Sequence, residues 1–467
     1  MTTRLTPQDT AFYRLESSSN PIHIGSLAIV RNTESGKPVL DYDRLVDVVE
    51  ARLSLVPRYR HKVCEIPFAL GRPVWVEDSA FDITFHVRHS ALLSPGTDEQ
   101  LHELVARLAS RPLDPTRPLW EMYLIEGLSD ERSAIFTKTH SALVDGDTAL
   151  EIGHVILDSG ASQRRTADDA WVAPHEPSEV ELLAGALTHL ATQPREAFEV
   201  VRDARAVTMM GAASKAVESV VSAVRAATTS TPDSPLNVKT SRDRCLDIVR
   251  TELDDYRKIR TKFDCSINDV ILAVVTGALR NWLLSRGEAL TESTTVRAVV
   301  PISVYVEGMD GDQPEPTSEV SSFLIDLPVG EPNPVMRLSH IAHAAEANCK
   351  HRRGVRARTL MHLAGFAPAS LHAMSVRAAS TFAGHTFNLV ITNAPGPQLP
   401  MYICGARMLE TYPVAPLLRN QAASIGITSY DGRVFYGLNA DRDAMADIGV
   451  LAASVHESME EMLGACV

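Results

Sequence analysis

Lys138-Thr-His140-Ser141-Ala-Leu-Val-Asp145-Gly146 is the stretch on which the reading of this chain turns. It follows an apolar strand-like run, Ala134-Ile-Phe-Thr-Lys138, and precedes a run of helical spacing over 148–157. Imidazole titrates near ~6.5, so a His at such a junction can take a proton from an alcohol and return one to a leaving group. Asp145, a turn away, can hold the loop by accepting hydrogen bonds, and Gly146 frees the backbone for a tight turn. Neighbouring side chains on an extended segment point to opposite faces, so His140 and Ser141 look in different directions. Serine is no base at neutral pH without a helper. By itself a His-x4-Asp-Gly string is weak evidence, because isolated histidines are more often structural.

Outward from this stretch, residues 1–160 read as mixed α/β. Segments 24–30 and 134–138 carry strand patterning, whereas 45–55 and 99–108 repeat apolar residues at helical spacing. Residues 159–177 are polar and Pro-bearing, a loop by composition. Residues 180–227 read as one or two amphipathic helices, packed on the protein's own core or laid on a membrane. Thr228-Thr-Ser-Thr-Pro-Asp-Ser-Pro235 is the best linker, and a second α/β unit begins at Leu236. That unit is expected to hold a helix at 267–284 and strands at 297–300, 387–391, 423–428 and 434–438. A chain of 467 residues is long for one core. The expected division is an N-terminal domain, 1–160, a helical crossover, 161–235, and a C-terminal domain, 236–467.

A net charge of −13 argues against nucleic acid as a partner. The six cysteines are scattered without a CxxC pair, which suits a reducing compartment and gives no sign of a metal site. Neither a secretory leader nor an apolar run of membrane-spanning length stands out, so a cytoplasmic location is expected, with attachment to the inner membrane face or to lipid droplets as an option. GxSxG, HExxH, P-loop and strand-borne GxGxxG motifs do not occur, which weakens hydrolase, zinc protease and nucleotide-fold readings. Against the acidic background, Lys350-His-Arg-Arg-Gly-Val-Arg-Ala-Arg358 precedes an apolar run, 360–374. It fits an anionic membrane surface, the phosphates of CoA, or simply a solvated helix face.

The 140–146 stretch resembles the HHxxxDG motif of the bacterial wax ester synthase/diacylglycerol acyltransferase family. Further segments resemble that family in order: Arg117-Pro-Leu-Trp120-Glu121, Ile267-Asn268-Asp269-Val270, Val300-Pro301-Ile302-Ser303 and Asn393-Ala-Pro395-Gly396-Pro397. The resemblance implies an α/β fold of two chloramphenicol-acetyltransferase-like, or condensation-domain-like, domains with a tunnel between them. It implies transfer of an acyl group from acyl-CoA to diacylglycerol, and to long-chain alcohols as further acceptors, with no cofactor beyond the acyl-CoA substrate. The family's presumed base is the second His of the pair, where this chain has Ser141. Either His140 serves instead, oriented by Asp145, or the chain is a weakened or inactive member that binds acyl-CoA or acyl lipids. Trp120, Pro301, Asn268 and Asp269 read as structural before catalytic, an Asn-Asp pair ahead of an apolar run being what a helix N-terminus needs. Ser303 and Asn393 are substrate contacts only by resemblance.

Overall fold

The computed structural model describes the chain apart from residues 1, 18, 35–36, 145–151, 163–170, 173–174, 193–233, 307–316, 350–353, 358–386, 419 and 467. Two seven-stranded mixed sheets carry the architecture. Their strands, in chain order, are β1 (His23–Arg31), β2 (Val87–Ala91), β3 (Trp120–Glu126), β4 (Arg132–His140), β5 (Leu157–Asp158), β6 (Arg244–Glu252), β7 (Val296–Val306), β8 (Thr317–Leu327), β9 (Gly354–Ala357), β10 (Leu389–Pro395), β11 (Tyr402–Ile403), β12 (Ala406–Val414), β13 (Ala423–Tyr430) and β14 (Arg433–Asp441). The first sheet runs β5-β11-β12-β1-β4-β3-β2 and the second β6-β14-β13-β10-β7-β8-β9. Although β11 and β12 belong to the C-terminal stretch of the chain, they complete the first sheet, with β12 antiparallel to β1.

The helices used below are α1 (Pro7–Leu15), α2 (Tyr42–Arg52), α3 (Asp98–Ser110), α4 (Ile152–Val155), α5 (Glu179–Thr192) and α6 (Ile267–Ser285). A reciprocal cap starts α3: Thr97 accepts from the Gln100 N–H while the Gln100 side chain accepts from the Thr97 N–H. Leu101, Val105 and Leu108 then face the first core. Ser266 and Asp269 cap α6 in the same way, which gives Asp269 the structural role that its position suggested. Of all helices among the described residues, only α6 is long and apolar enough to cross a membrane, and 72% of its apolar window is buried inside the fold.

The sheets meet where β12 passes over β13 and β14. A Cβ on Gly437 would lie 1.9 Å from the Pro413 carbonyl oxygen, and one on Gly426 would lie 2.7 Å from the Pro413 Cβ, so backbone approaches backbone with no room for a side chain. Arg250 of the second sheet pairs with Glu410 of the first beside this junction.

Two expectations need adjustment. The run 148–157 gives only a one-turn helix, α4, among its described residues and then enters strand β5, because Leu157 and Asp158 pair with β11. Of the segment 180–227, the described part is the helix α5, and the remainder lies outside the described residues. The basic stretch at 350–358 is likewise outside them except for the backbone of β9.

Candidate active site

Strand alternation on β4 sorts the motif into two environments. Phe136 and Lys138 line a small pocket on one face, together with His23, Gly25, Arg244 and Asn439. Ile135 and Thr137 line a larger cleft on the other. His140, the last residue of the strand, continues the first set, and Ser141 begins the turn that follows. The ring expected to act as a base is therefore turned away from the large cleft.

His140 is fully buried, and its register partner across the sheet is His23. Its Nδ1 accepts the Ala142 N–H at 3.0 Å. A ring nitrogen that accepts a hydrogen bond carries no proton, which assigns the ring proton to Nε2. Nε2 lies 3.0 Å from Glu16 Oε2, and His23 Nε2 lies 2.6 Å from Glu16 Oε1. Both are ion-pair distances off the line of a good hydrogen bond. Burial pushes the Glu16 carboxyl up, but its contacts with His140 and His23 outweigh that and hold it far below the usual carboxylate range. Burial lowers His23 to about 4 against the pull of Glu16. The carboxylate thus sits between two imidazoles. No group of three or more His, Cys, Asp or Glu among the described residues is arranged to hold a metal ion.

The Ser141 hydroxyl donates to the Ile22 carbonyl at 2.9 Å, and the Ser141 N–H reaches the same oxygen at 3.1 Å. Lys138 is buried too, its ammonium spanning the Leu108 and Arg111 carbonyls and Glu121 at 2.9 Å. Asp145 and Gly146 lie outside the described residues. Trp120 is buried with its indole N–H on the Tyr59 carbonyl and its ring stacked on His86 at 4.6 Å, a core role. Asn393 donates to Asn268 at 3.0 Å, so two of the expected residues meet at the start of α6. Pro301 and Ser303 lie on β7, and nothing is described of their side chains.

The large cleft is walled by both ends of the chain: Ser26, Ala28, Ile135 and Thr137 from β1 and β4, then Pro397, Met408, Thr411, Pro413 and Thr428 from the C-terminal region. Its mainly apolar lining suits a hydrocarbon chain. His154 of α4 also lines it. Sequence reasoning passed over this histidine because it sits in a run read only as helical. Its neighbours hold it firmly: the Ile152 N–H donates to the Tyr59 hydroxyl at 3.2 Å, and Arg52 donates to the Val155 carbonyl at 3.0 Å. Arg52 also grips Asp158 with two bonds of 2.9 and 2.8 Å, both side chains being buried. Burial lowers His154 to about 4. Its Nδ1 is closed off without a hydrogen-bond partner.

Comparison with known proteins agrees with this geometry. The family model described as the wax ester synthase/diacylglycerol acyltransferase catalytic domain matches residues 5–271, and that of the WS/DGAT C-terminal domain matches 318–463. A probable diacylglycerol O-acyltransferase of Mycobacterium tuberculosis, tgs3, is 47% identical over 268 residues, 57% of this chain and 98% of that protein. A second from that organism, tgs1, is 31% identical over 98% of this chain and 95% of its own length. The solved wax ester synthase/diacylglycerol acyltransferase from Marinobacter aquaeolei VT8 superposes with a TM-score of 0.66 at 24% identity, covering 99% of this chain and all of that one. The first condensation domain of the calcium-dependent antibiotic synthetase shares the fold with a TM-score of 0.56 at 12% identity, over 99% of this chain and 97% of that one.

Proposed function

This chain belongs to the wax ester synthase/diacylglycerol acyltransferase family, and on that premise we propose that it transfers an acyl group from acyl-CoA to the hydroxyl of diacylglycerol, forming triacylglycerol. The observation that carries the reading is the apolar cleft on the face of β4 that Ile135 and Thr137 share, with walls from both halves of the chain. Apolar walls of this kind suit the hydrocarbon part of an acyl chain, with the thioester and the alcohol meeting away from bulk water. Proximity and exclusion of water then supply much of the rate. Long-chain alcohols are the second acceptor class to test, since the same apolar walls accept any hydrocarbon-bearing hydroxyl.

The alternative, an inactive relative that keeps acyl-CoA bound, draws its support from Ser141 alone. The relatives' names as O-acyltransferases weigh against it. Release of the CoA thiol from palmitoyl-CoA, measured with dioleoylglycerol, with hexadecanol and with no acceptor, tests the proposal. Acceptor-dependent release is the expected outcome; binding of palmitoyl-CoA without release under any condition would establish the alternative. Because both substrates are lipidic, the enzyme is expected to work at a membrane or lipid-droplet face of the cytoplasm. Flotation with anionic vesicles, compared between the wild type and an Arg352→Ala, Arg353→Ala double variant, tests whether the basic stretch at 350–358 provides the attachment. Equal flotation of the two proteins removes that role.

A further inference from the structure

We propose that His154 is the general base of this enzyme, in place of the histidine that position 141 lacks. The inference rests on the acyltransferase reading above and deepens it by naming the group that takes the acceptor's proton.

Three observations converge on this ring. First, His140 is spent: its Nδ1 lone pair receives the Ala142 N–H, its Nε2 faces Glu16, and it belongs to the face of β4 that looks away from the large cleft. Second, Ser141 gives its hydroxyl proton to the Ile22 carbonyl, and a serine is no base at neutral pH without a helper. Third, among the described residues His154 is the only imidazole lining the cleft. Its Nδ1 is sealed without a partner, and no hydrogen bond engages Nε2, which leaves Nε2 as the ring nitrogen that the cleft can reach.

The ring is also pre-positioned, because the one-turn helix that carries it is tied at both ends, by Tyr59 on the Ile152 N–H and by Arg52 on the Val155 carbonyl. Burial keeps the imidazole neutral through the physiological range, so its lone pair is available at neutral pH.

The step balances as follows. The acceptor O–H proton passes to His154 Nε2 as the oxygen forms its bond to the thioester carbonyl carbon. The resulting tetrahedral oxyanion collapses, the C–S bond breaks, and the departing CoA sulfur takes the proton back from the imidazolium. No oxidant, metal or covalent enzyme intermediate enters the sequence.

The test uses the full chain and palmitoyl-CoA with dioleoylglycerol. His154→Gln, similar in size and unable to act as a base, is expected to lower kcat by about 100-fold or more while palmitoyl-CoA binding changes by less than about threefold. In His154→Ala, added imidazole is expected to restore part of the rate, with a pH dependence that follows free imidazole. The wild-type profile, by contrast, should stay level from pH 8 down to about 5, since the ring titrates at about 4. Retention of kcat within about threefold in His154→Gln overturns the assignment. So does a loss matched by an equal loss of palmitoyl-CoA binding with no imidazole rescue, because that is the signature of a structural role. A wild type that releases no CoA with any acceptor removes the acyltransferase reading itself, and this assignment with it.

Discussion

Glu16 holds the buried end of β4 together, because two imidazoles depend on its one carboxylate. Removing it takes away the one carboxylate that both buried ring nitrogens face within 3.0 Å, and an unsatisfied buried polar group costs about 1–3 kcal/mol. Glu16→Ala is therefore expected to lower unfolding free energy by about 2–4 kcal/mol in denaturant titrations. A second residue-scale prediction concerns His86, which donates from Nδ1 to the Trp120 carbonyl and lies between Phe81 and Trp120. Burial lowers its pKa from 6.5 to about 4. The unfolded chain takes up the proton below about 6.5 and the folded chain does not until about 4, so stability falls as pH drops through that window. This one group accounts for roughly 2 kcal/mol of the loss by pH 5. His86→Phe keeps the stacking and removes the titration, so the difference in stability between pH 7 and pH 5 should shrink by about that amount. At this scale the sequence was informative about direction. Strand alternation says that residues 140 and 141 part ways; in the structure β4 ends at His140, which meets Glu16, and Ser141 turns to the Ile22 carbonyl. The sequence could not reveal Glu16, which reaches His140 from more than a hundred residues away, through a fold that no local pattern encodes.

Elements are placed by caps and anchors that differ in how far they show in sequence. The Ser266–Asp269 cap sits ahead of a long apolar run, so α6 was legible to within a residue of its end. Position 154 was not, because α4 is a single turn whose geometry comes from tertiary bonds. Arg52 reaches it from the end of α2, and Tyr59 from the short 3-10 turn Pro57–Arg60. No periodicity encodes such tethering. The anchors make a prediction that belongs to the element: Asp158→Ala leaves the buried Arg52 guanidinium without its carboxylate and should destabilise the protein by about 3–5 kcal/mol. Double replacement, Arg52→Met with Asp158→Leu, should recover a substantial part of that loss in thermal melts, because it removes both buried charges together.

At the scale of the whole molecule, the two sheets are joined by strands that change sides. Two α/β units were legible from alternating strand and helix patterns. The passage of 402–414 into the first sheet was not, because it is a property of topology and leaves no local mark. The junction it creates depends on the absence of side chains at Gly426 and Gly437. Gly437→Ala would push a methyl into the Pro413 carbonyl, and the strands must part to admit it. Loss of at least about 1–3 kcal/mol of stability is expected in denaturant titrations, together with lower acyl transfer, since Pro413 also lines the cleft. The most direct test of the whole account follows the acyl group. With palmitoyl-CoA labelled in the acyl chain and dioleoylglycerol as acceptor, the label is expected in triacylglycerol, mole for mole with the CoA released. Label that stays on CoA while the protein binds it, or that appears as free palmitate, would contradict it.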